Sequence, residues 1–152
     1  MSYTHRYRLA LDRVLELVVV LNDDMTRSLA AHGLTVSRTH LLWELRQRGP
    51  TTQKALADAL QVSPRTVTGL IDGLVSSGFV TREPHPSDRR ATHVSFTEWG
   101  VSIMVVLERS HAEFAQALFA SMPDTDFDCF VVGLDQLLGR LREHVAASAE
   151  DA

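Results

Sequence analysis

The chain has 152 residues, of which 45% are hydrophobic, and its formal net charge at pH 7 is -4. This length suits one domain with a sizeable core, and the single cysteine excludes an internal disulfide framework. Apolar runs such as residues 17–21 are too short to cross a bilayer, and the sequence has no secretory pattern of a basic start followed by an apolar segment. We therefore expect a cytoplasmic protein with no membrane partner.

The charge is distributed unevenly along the chain. Basic and acidic side chains balance in residues 1–34, whereas residues 35–93 hold eight basic against five acidic ones and residues 94–152 hold three against ten. Only a surface that faces a duplex needs to displace counterions from phosphates, so a basic middle segment is typical of a DNA-binding module. The basic excess is small, and a single copy of the module would bind DNA weakly.

The first predicted element is an N-terminal helix over residues 12–25. It carries more apolar residues than a single amphipathic stripe needs. This excess predicts burial against a second copy of the chain, and the alternative is a monomeric helical core. The apolar residues are Val14, Leu15, Leu17, Val18, Val19, Leu21 and Met25.

Residues 56–74 follow the pattern of a helix-turn-helix. Their apolar positions keep helical spacing on both sides of Gln61 and Val62, where the phase changes once. A serine and a proline directly after this break suit the N-cap and the first position of a second helix. We expect the N-terminal side of that helix to enter a DNA major groove, and the alternative is an ordinary pair of core helices. The candidate DNA contacts are Ser63, Pro64, Arg65, Thr66 and Thr68.

A hairpin with a basic tip follows the second helix. Gly78 is placed to end that helix, residues 79–82 predict a short strand, and alternation over residues 92–96 predicts a returning strand. Proline and charge in residues 83–90 indicate a loop between them. Arginines on a protruding loop interact best where phosphates crowd a narrow groove, so we expect a DNA-binding wing; the alternative is a solvated hairpin. The candidate contacts are Asp88, Arg89 and Arg90.

Two long helices are predicted after the hairpin. One follows Thr97, a suitable N-cap, and the other begins near Thr125, with Asp128 at capping-box spacing. The last helix repeats apolar residues at intervals of three and four, which predicts a dimer contact shared with the N-terminal helix. The candidate interface residues are Val14, Val18, Phe130, Leu134, Leu138 and Leu141.

Four motifs resemble the signature of the MarR-type winged helix-turn-helix regulators. Three of them are Gly78 to Arg82, Pro86 to Arg90 and Val94 to Gly100, and the run from Leu56 to Leu74 resembles the same family's DNA-reading helices. The resemblance extends over nearly the whole chain. Gly69 departs from it, because many relatives carry a basic or polar residue at this position.

The resemblance also implies roles for the wing residues and a class of effector. It implies that Arg90 probes the minor groove, that Asp88 steadies Arg90 and that Arg89 lies near phosphates. Repression is the commoner outcome in the family, and its usual effectors are small aromatic or phenolic compounds. The candidate effector-lining residues in this chain are His40, Trp43 and Phe114.

The predicted fold is mainly α with a small β wing. A winged helix-turn-helix module spans residues 35–97, and long dimerisation and linking helices occupy residues 1–34 and 98–152. The predicted function is sequence-specific binding of a pseudo-palindromic DNA operator by a homodimer that regulates transcription. A two-fold dimer of such modules matches half-sites about 34 Å apart, and an effector that changes this spacing would release the DNA.

Four other possibilities are weighed against this function. A winged helix that binds a protein instead of an operator is one alternative, and a redox-sensing regulator that uses Cys129 is another, although the apolar neighbours of this residue favour a buried, inert thiol. The seven histidines lack metal-binding spacing, so we expect no metal and no other cofactor. Common catalytic motifs are absent from the sequence, and we expect no enzymatic activity.

Overall fold

The fold is mainly helical with one small antiparallel sheet. The computed structural model describes residues 3–84, 87 and 92–150. This architecture confirms the predicted mainly α fold with a β wing. The elements in chain order are α1 (Tyr3–Ala30), α2 (Val36–Arg48), β1 (Thr51–Thr52), α3 (Gln53–Leu60), α4 (Pro64–Ser76), β2 (Val80–Pro84), β3 (Thr92–Phe96), α5 (Glu98–Phe119) and α6 (Asp124–Glu150).

Local signals in the sequence define the helix-turn-helix formed by α3 and α4. Thr52 caps α3 by accepting a hydrogen bond from a first-turn N–H at 3.1 Å, and the helix ends at Gln61, whose left-handed φ of 53° turns the chain. Ser63 then caps α4 by accepting from the Thr66 N–H at 3.1 Å, and Pro64 is the first residue of the helix. The predicted break, cap and helix start are confirmed.

The end of α4 is a Schellman motif. Gly78 has a φ of 80°, and its N–H donates to the carbonyl of Val75 at 3.0 Å. The N–H of Phe79 donates to the carbonyl of Leu74 at 2.9 Å, so the carbonyls of Leu74 and Val75 in the last turn both have a hydrogen-bond donor. The motif directs the buried Phe79 towards β2. The predicted role of Gly78 in ending this helix is therefore confirmed.

The sheet has the strand order β1-β3-β2 and is antiparallel throughout. Thr51 and Arg82 both lie opposite Val94 in the register, and residues directly opposite each other share a face of the sheet. Val94 is fully buried, so this face covers the core. The two predicted strands are confirmed, but β2 extends to Pro84 and so includes two residues predicted as loop, because Glu83 and Pro84 pair with β3. Strand β1 was not predicted, because two threonines between helices show no alternation.

A closed hydrophobic core lies in the region from α2 to the start of α5. Thr39 is buried within it and donates its hydroxyl hydrogen to the carbonyl of Thr35 at 2.9 Å. No buried side-chain polar atom of the described residues lacks a hydrogen-bond partner. The core side chains include Leu41, Leu42, Leu45, Leu56, Val67, Ile71, Leu74, Phe79, Val80, Val94 and Met104.

The terminal helices are much less covered within one chain. Between residues 124 and 148 of α6, every residue is exposed except Gly139, which is half-buried. Between residues 4 and 28 of α1, only Val14 and Leu21 are half-buried and the rest are exposed. Two long amphipathic helices therefore leave most of their apolar surface in water unless another molecule covers it.

The chain divides into two compact units, with the boundary between Val106 and Leu107. In the second unit, three aromatic rings link the end of α5 to the start of α6. The ring of Phe119 lies 5.6 Å from that of Phe127, edge to face, and 5.9 Å from that of Phe130. These contacts fix the helical hairpin of this unit.

The structure corrects three details of the sequence analysis. Helix α1 begins at Tyr3, well before residue 12, and α6 begins at Asp124, so Thr125 lies inside the helix and is not its cap. Cys129 is exposed, not buried, because the helix that carries it is uncovered in a single chain. In the described part of the chain, no helix has the length and hydropathy needed to cross a membrane.

Candidate DNA-binding surface

One side of α4 faces outward and carries three residues at helical spacing. Arg65, Gly69 and Asp72 are all exposed and follow one another at intervals of four and three residues, which places them on one face of the helix. We call these three residues the exposed stripe of α4. The opposite side of the helix packs into the core through Val67, Ile71 and Leu74.

The two charges of the exposed stripe have different surroundings. The Asp72 carboxylate accepts a hydrogen bond from the guanidinium of Arg82, on β2, at 2.6 Å. The guanidinium of Arg65, by contrast, has no hydrogen bond or ion pair with any residue that the structure describes. The stripe therefore offers one uncompensated positive charge at the N-terminal end of α4, where the helix macrodipole also attracts anions.

The hydroxyl groups at the start of α4 are bonded within the protein. The hydroxyls of Ser63 and Thr66 lie 2.9 Å apart and share a hydrogen bond. Thr68 donates its hydroxyl hydrogen to the carbonyl of Pro64 at 2.7 Å and accepts from Nε2 of Gln53, on α3, at 2.5 Å. Gln53 thus links the two helices, a role that the sequence analysis missed because the partners are 15 residues apart.

The strands of the wing are attached to both neighbouring helices. Arg82 joins β2 to α4 through Asp72, as described above. After β3, Thr97 caps α5 by accepting from the N–H of Gly100 at 2.9 Å and donates to the carbonyl of Gly78, which confirms its predicted capping role. The predicted wing-tip contacts Asp88, Arg89 and Arg90 lie outside the described residues.

Known proteins share both the sequence pattern and this geometry. The sequence profile of the MarR family matches residues 34–92. The HTH-type transcriptional repressor YetL of Bacillus subtilis (strain 168) is 30% identical over 126 residues, which cover 80% of this chain and 74% of YetL. The chain belongs to the MarR family. The resemblance inferred from the wing and helix-turn-helix motifs is confirmed.

Solved MarR-family structures have the same fold. AbsC of Streptomyces coelicolor superposes with a TM-score of 0.74 at 23% identity, over 93% of this chain and 97% of AbsC. A structure described as a MepR–DNA complex from S. aureus gives a TM-score of 0.67 at 21% identity, over 93% of this chain and 99% of that protein. The winged helix-turn-helix architecture of the MarR family is therefore shown for this chain.

The effector candidates lie on two different helices of this MarR-family protein. His40 and Trp43 are on α2, exposed and half-buried respectively, and Phe114 is on α5 in the second unit with 38% of its surface exposed. None of these three residues lines the cavity of about 410 Å³ between α3 and the start of α4. That cavity is lined by Gln53, Lys54, Ala57, Asp58, Val62, Pro64 and Val67.

The predicted dimer contacts lie on the uncovered terminal helices. Val14 is half-buried in α1, and Val18, in the same helix, is 56% exposed. Phe130, Leu134 and Leu138 lie on α6 and are each 38% exposed. Leu141, on the same helix, is also exposed. Within residues 3–84, 87 and 92–150, no three His, Cys, Asp or Glu side chains form a group able to hold a metal ion.

Proposed function

We propose that this MarR-family protein is a sequence-specific DNA-binding repressor that acts as a homodimer on a pseudo-palindromic operator. The observation that carries the proposal is the exposed stripe of α4, with its unpaired Arg65 at the N-terminal end of a capped helix. An exposed guanidinium at this end of the second helix of a helix-turn-helix suits contact with base edges in the major groove.

Two relatives support DNA as the ligand and repression as the outcome. YetL is named a transcriptional repressor, and MepR has been crystallised in complex with DNA. Residues 35–93 carry an excess of basic side chains, whereas residues 94–152 are acidic. This difference supports the proposal that the winged region is the part that binds a DNA duplex. Ser63, Pro64, Thr66 and Thr68 are proposed to lie along the groove beside Arg65.

The proposed role of the wing is to grip the sugar-phosphate backbone beside the recognition helix. Arg90 would enter the minor groove, Asp88 would hold its guanidinium, and Arg89 would lie near phosphates. The Arg82–Asp72 ion pair, with 2.6 Å between the guanidinium nitrogen and the carboxylate oxygen, supports this proposal because it fixes the base of the wing to α4. Two contact points held in one rigid unit bind DNA more tightly than either contact alone.

The proposed homodimer is supported by the uncovered apolar surface of α1 and α6. Exposed valines and leucines recur along both helices, α6 adds exposed phenylalanines, and a single chain leaves these side chains between 37% and 60% exposed. Burial of such a surface at about 25 cal/mol per Å² would stabilise a dimer strongly. Doubling the module compensates for the small basic excess of each copy and matches half-sites about 34 Å apart.

A small aromatic effector is proposed to release the DNA. The family resemblance supports this proposal, and the candidate residues remain His40 and Trp43 on α2 and, separately, Phe114 on α5. An effector would act by binding one spacing of the two modules more tightly than the other. Titration with aromatic carboxylates, followed by Trp fluorescence and by release of bound duplex, tests this part separately.

Removal of single arginines tests the proposed DNA contacts. We expect Arg65→Ala to reduce the free-energy gap between operator and random DNA by about 1–3 kcal/mol, and Arg90→Ala to weaken operator binding. Arg109→Ala is the matched control, because it removes the same charge from an exposed position of α5, where Arg109 pairs with Glu113. Mobility-shift titrations at two salt concentrations give the affinities, and light scattering confirms that all variants share one oligomeric state.

Equal operator affinity for the wild type, Arg65→Ala and Arg90→Ala would contradict the proposed contacts. Absence of binding to any duplex at low ionic strength, by a folded chain, would contradict the proposed function altogether. A winged helix used for protein contacts would give that second result.

A further inference from the structure

Gly69 occupies the middle of the exposed stripe of α4, where a glycine has no structural reason to be. A β-carbon built at this position would meet no atom within 4 Å. Glycine within a helix is less favourable than alanine, because it loses more backbone freedom on folding. The chain therefore accepts a weaker helix at this point without any gain in internal packing.

Two nearby glycines show what a packing reason looks like. A β-carbon at Gly73, also in α4, would meet the guanidinium of Arg38, a flexible side-chain end that would have to move aside. A β-carbon at Gly100, in the first turn of α5, would lie 2.0 Å from the carbonyl oxygen of Phe79. Both glycines permit a close approach within the protein. At Gly69, by contrast, no atom of the protein lies near the place that a β-carbon would occupy, so this place is open to another molecule.

The hydroxyl groups beside Gly69 are already hydrogen-bonded within the protein. The hydroxyl of Thr68 already bonds to Gln53 and to the carbonyl of Pro64, and the hydroxyl of Thr66 is bonded to that of Ser63. What Thr68 can offer outside the protein is mainly its methyl group. This part of α4 is thus bare backbone beside a methyl group, which suits an apolar partner better than a hydrogen-bonding one.

We propose that Gly69 determines sequence specificity by admitting the C5-methyl group of a thymine against the bare backbone of α4. The inference rests on the proposed DNA-binding function. The thymine methyl is the apolar feature that distinguishes base pairs in the major groove. Gly69 follows Arg65 by four residues, or about 6 Å along the helix. The thymine therefore lies within roughly two base pairs of the base that Arg65 contacts.

The test uses the duplex that the wild-type protein enriches from random sequences. Replacement of each thymidine by deoxyuridine, one position at a time, removes only the methyl group. We expect one position in each half-site to lose about three- to fourfold in affinity, as burial of one methyl group predicts. Gly69→Ala should bind the thymidine duplex roughly tenfold or more weakly and should no longer distinguish thymidine from deoxyuridine at that position.

Two controls separate a direct effect from a folding defect. Because no atom is near the added methyl group, Gly69→Ala should unfold at a higher temperature than the wild type while binding its operator less tightly. Val75→Ala changes an exposed residue of the same helix that lies off the exposed stripe, and it should leave both the affinity and the thymidine preference unchanged. A stable variant with weaker binding cannot be explained by loss of structure.

Several outcomes would overturn the inference while the proposed function stands. One is unchanged affinity of Gly69→Ala for the selected duplex, and another is tighter binding by Gly69→Lys, which would show that the space stays open to solvent. Equal affinity for every deoxyuridine duplex would do the same. Absence of any enriched sequence for the wild type would overturn the proposed function, and this inference with it.

Discussion

The winged region and the terminal helices differ in how much of their apolar surface a single chain buries. The winged region closes its own core: Leu41, Leu42 and Leu45 of α2 are completely buried. In α6, the leucines at positions 134, 137 and 138 repeat with the same helical regularity, yet each is between 38% and 42% exposed. The apolar pattern of a helix therefore shows which face is buried, but not whether the cover comes from the same chain.

This difference separates the two tasks of the proposed regulator. A self-contained winged region can hold Arg65, Gly69 and Asp72 in a fixed geometry without help from other molecules. In the proposed dimer, the uncovered helices would pair two such regions at a defined distance. Changes in the two places should consequently differ in how their effects depend on protein concentration.

The largest effect is expected from a charge on the uncovered face of α6. Leu134→Asp would place an unpaired carboxylate in the proposed interface, which should weaken the dimer by about 3–5 kcal/mol. Light scattering should then report a monomer, and the unfolding temperature should stop depending on protein concentration. Gln136→Asp, on the polar side of the same helix, should remain dimeric. An intact dimer for Leu134→Asp would place the interface elsewhere.

A core truncation in the winged region should destabilise the protein without dissociating it. Leu42→Ala removes a fully buried side chain and should cost about 3 kcal/mol of unfolding free energy, through lost burial and the cavity that remains. Denaturant unfolding measures the loss, and the concentration dependence of the midpoint should match that of the wild type. A monomeric Leu42→Ala protein would show that the two regions are not energetically separate.

The smallest effect on stability is expected at the ion pair that joins the wing to α4. Both side chains are partly exposed, at 30% for Arg82 and 57% for Asp72, so Arg82→Ala should cost less than about 1 kcal/mol of unfolding free energy. The same change should cost more in the free energy of operator binding, because the freed Asp72 carboxylate would lie on the exposed stripe and repel phosphates.

A double-mutant cycle distinguishes repulsion from simple loss of charge. If Asp72 repels DNA once it is unpaired, Asp72→Ala in the Arg82→Ala background should restore part of the operator affinity measured by titration. If removal of Asp72 restores no affinity relative to Arg82→Ala, the loss comes from the missing Arg82 charge and not from repulsion by Asp72. Light scattering of both variants confirms that the dimer is unchanged.

Local signals in the sequence were sufficient to predict much of the fold. Ser63 and Pro64 start α4, and Gly78 ends it, because capping depends only on residues within one turn. The family signature likewise rests on short motifs around the wing, and the relationship to YetL confirms it. The order of helices and the hairpin follow from such local rules and from apolar periodicity.

Features that depend on contacts between distant residues were not predictable. The bond from Gln53 to Thr68, the ion pair of Arg82 with Asp72 and the pairing of β1 with β3 all join segments that become neighbours only after folding. Cys129 was predicted to be buried because its neighbours are apolar, yet its helix is uncovered in one chain. Burial depends on what packs against a helix, which periodicity does not reveal.

Selection of bound sequences from random duplex DNA tests the central claim most directly. We predict an enriched pseudo-palindrome with half-sites about one helical turn, roughly 34 Å, apart and with affinity that falls steeply as salt is raised. The contradicting result is a folded protein that enriches no sequence and shows no salt-dependent binding to any duplex.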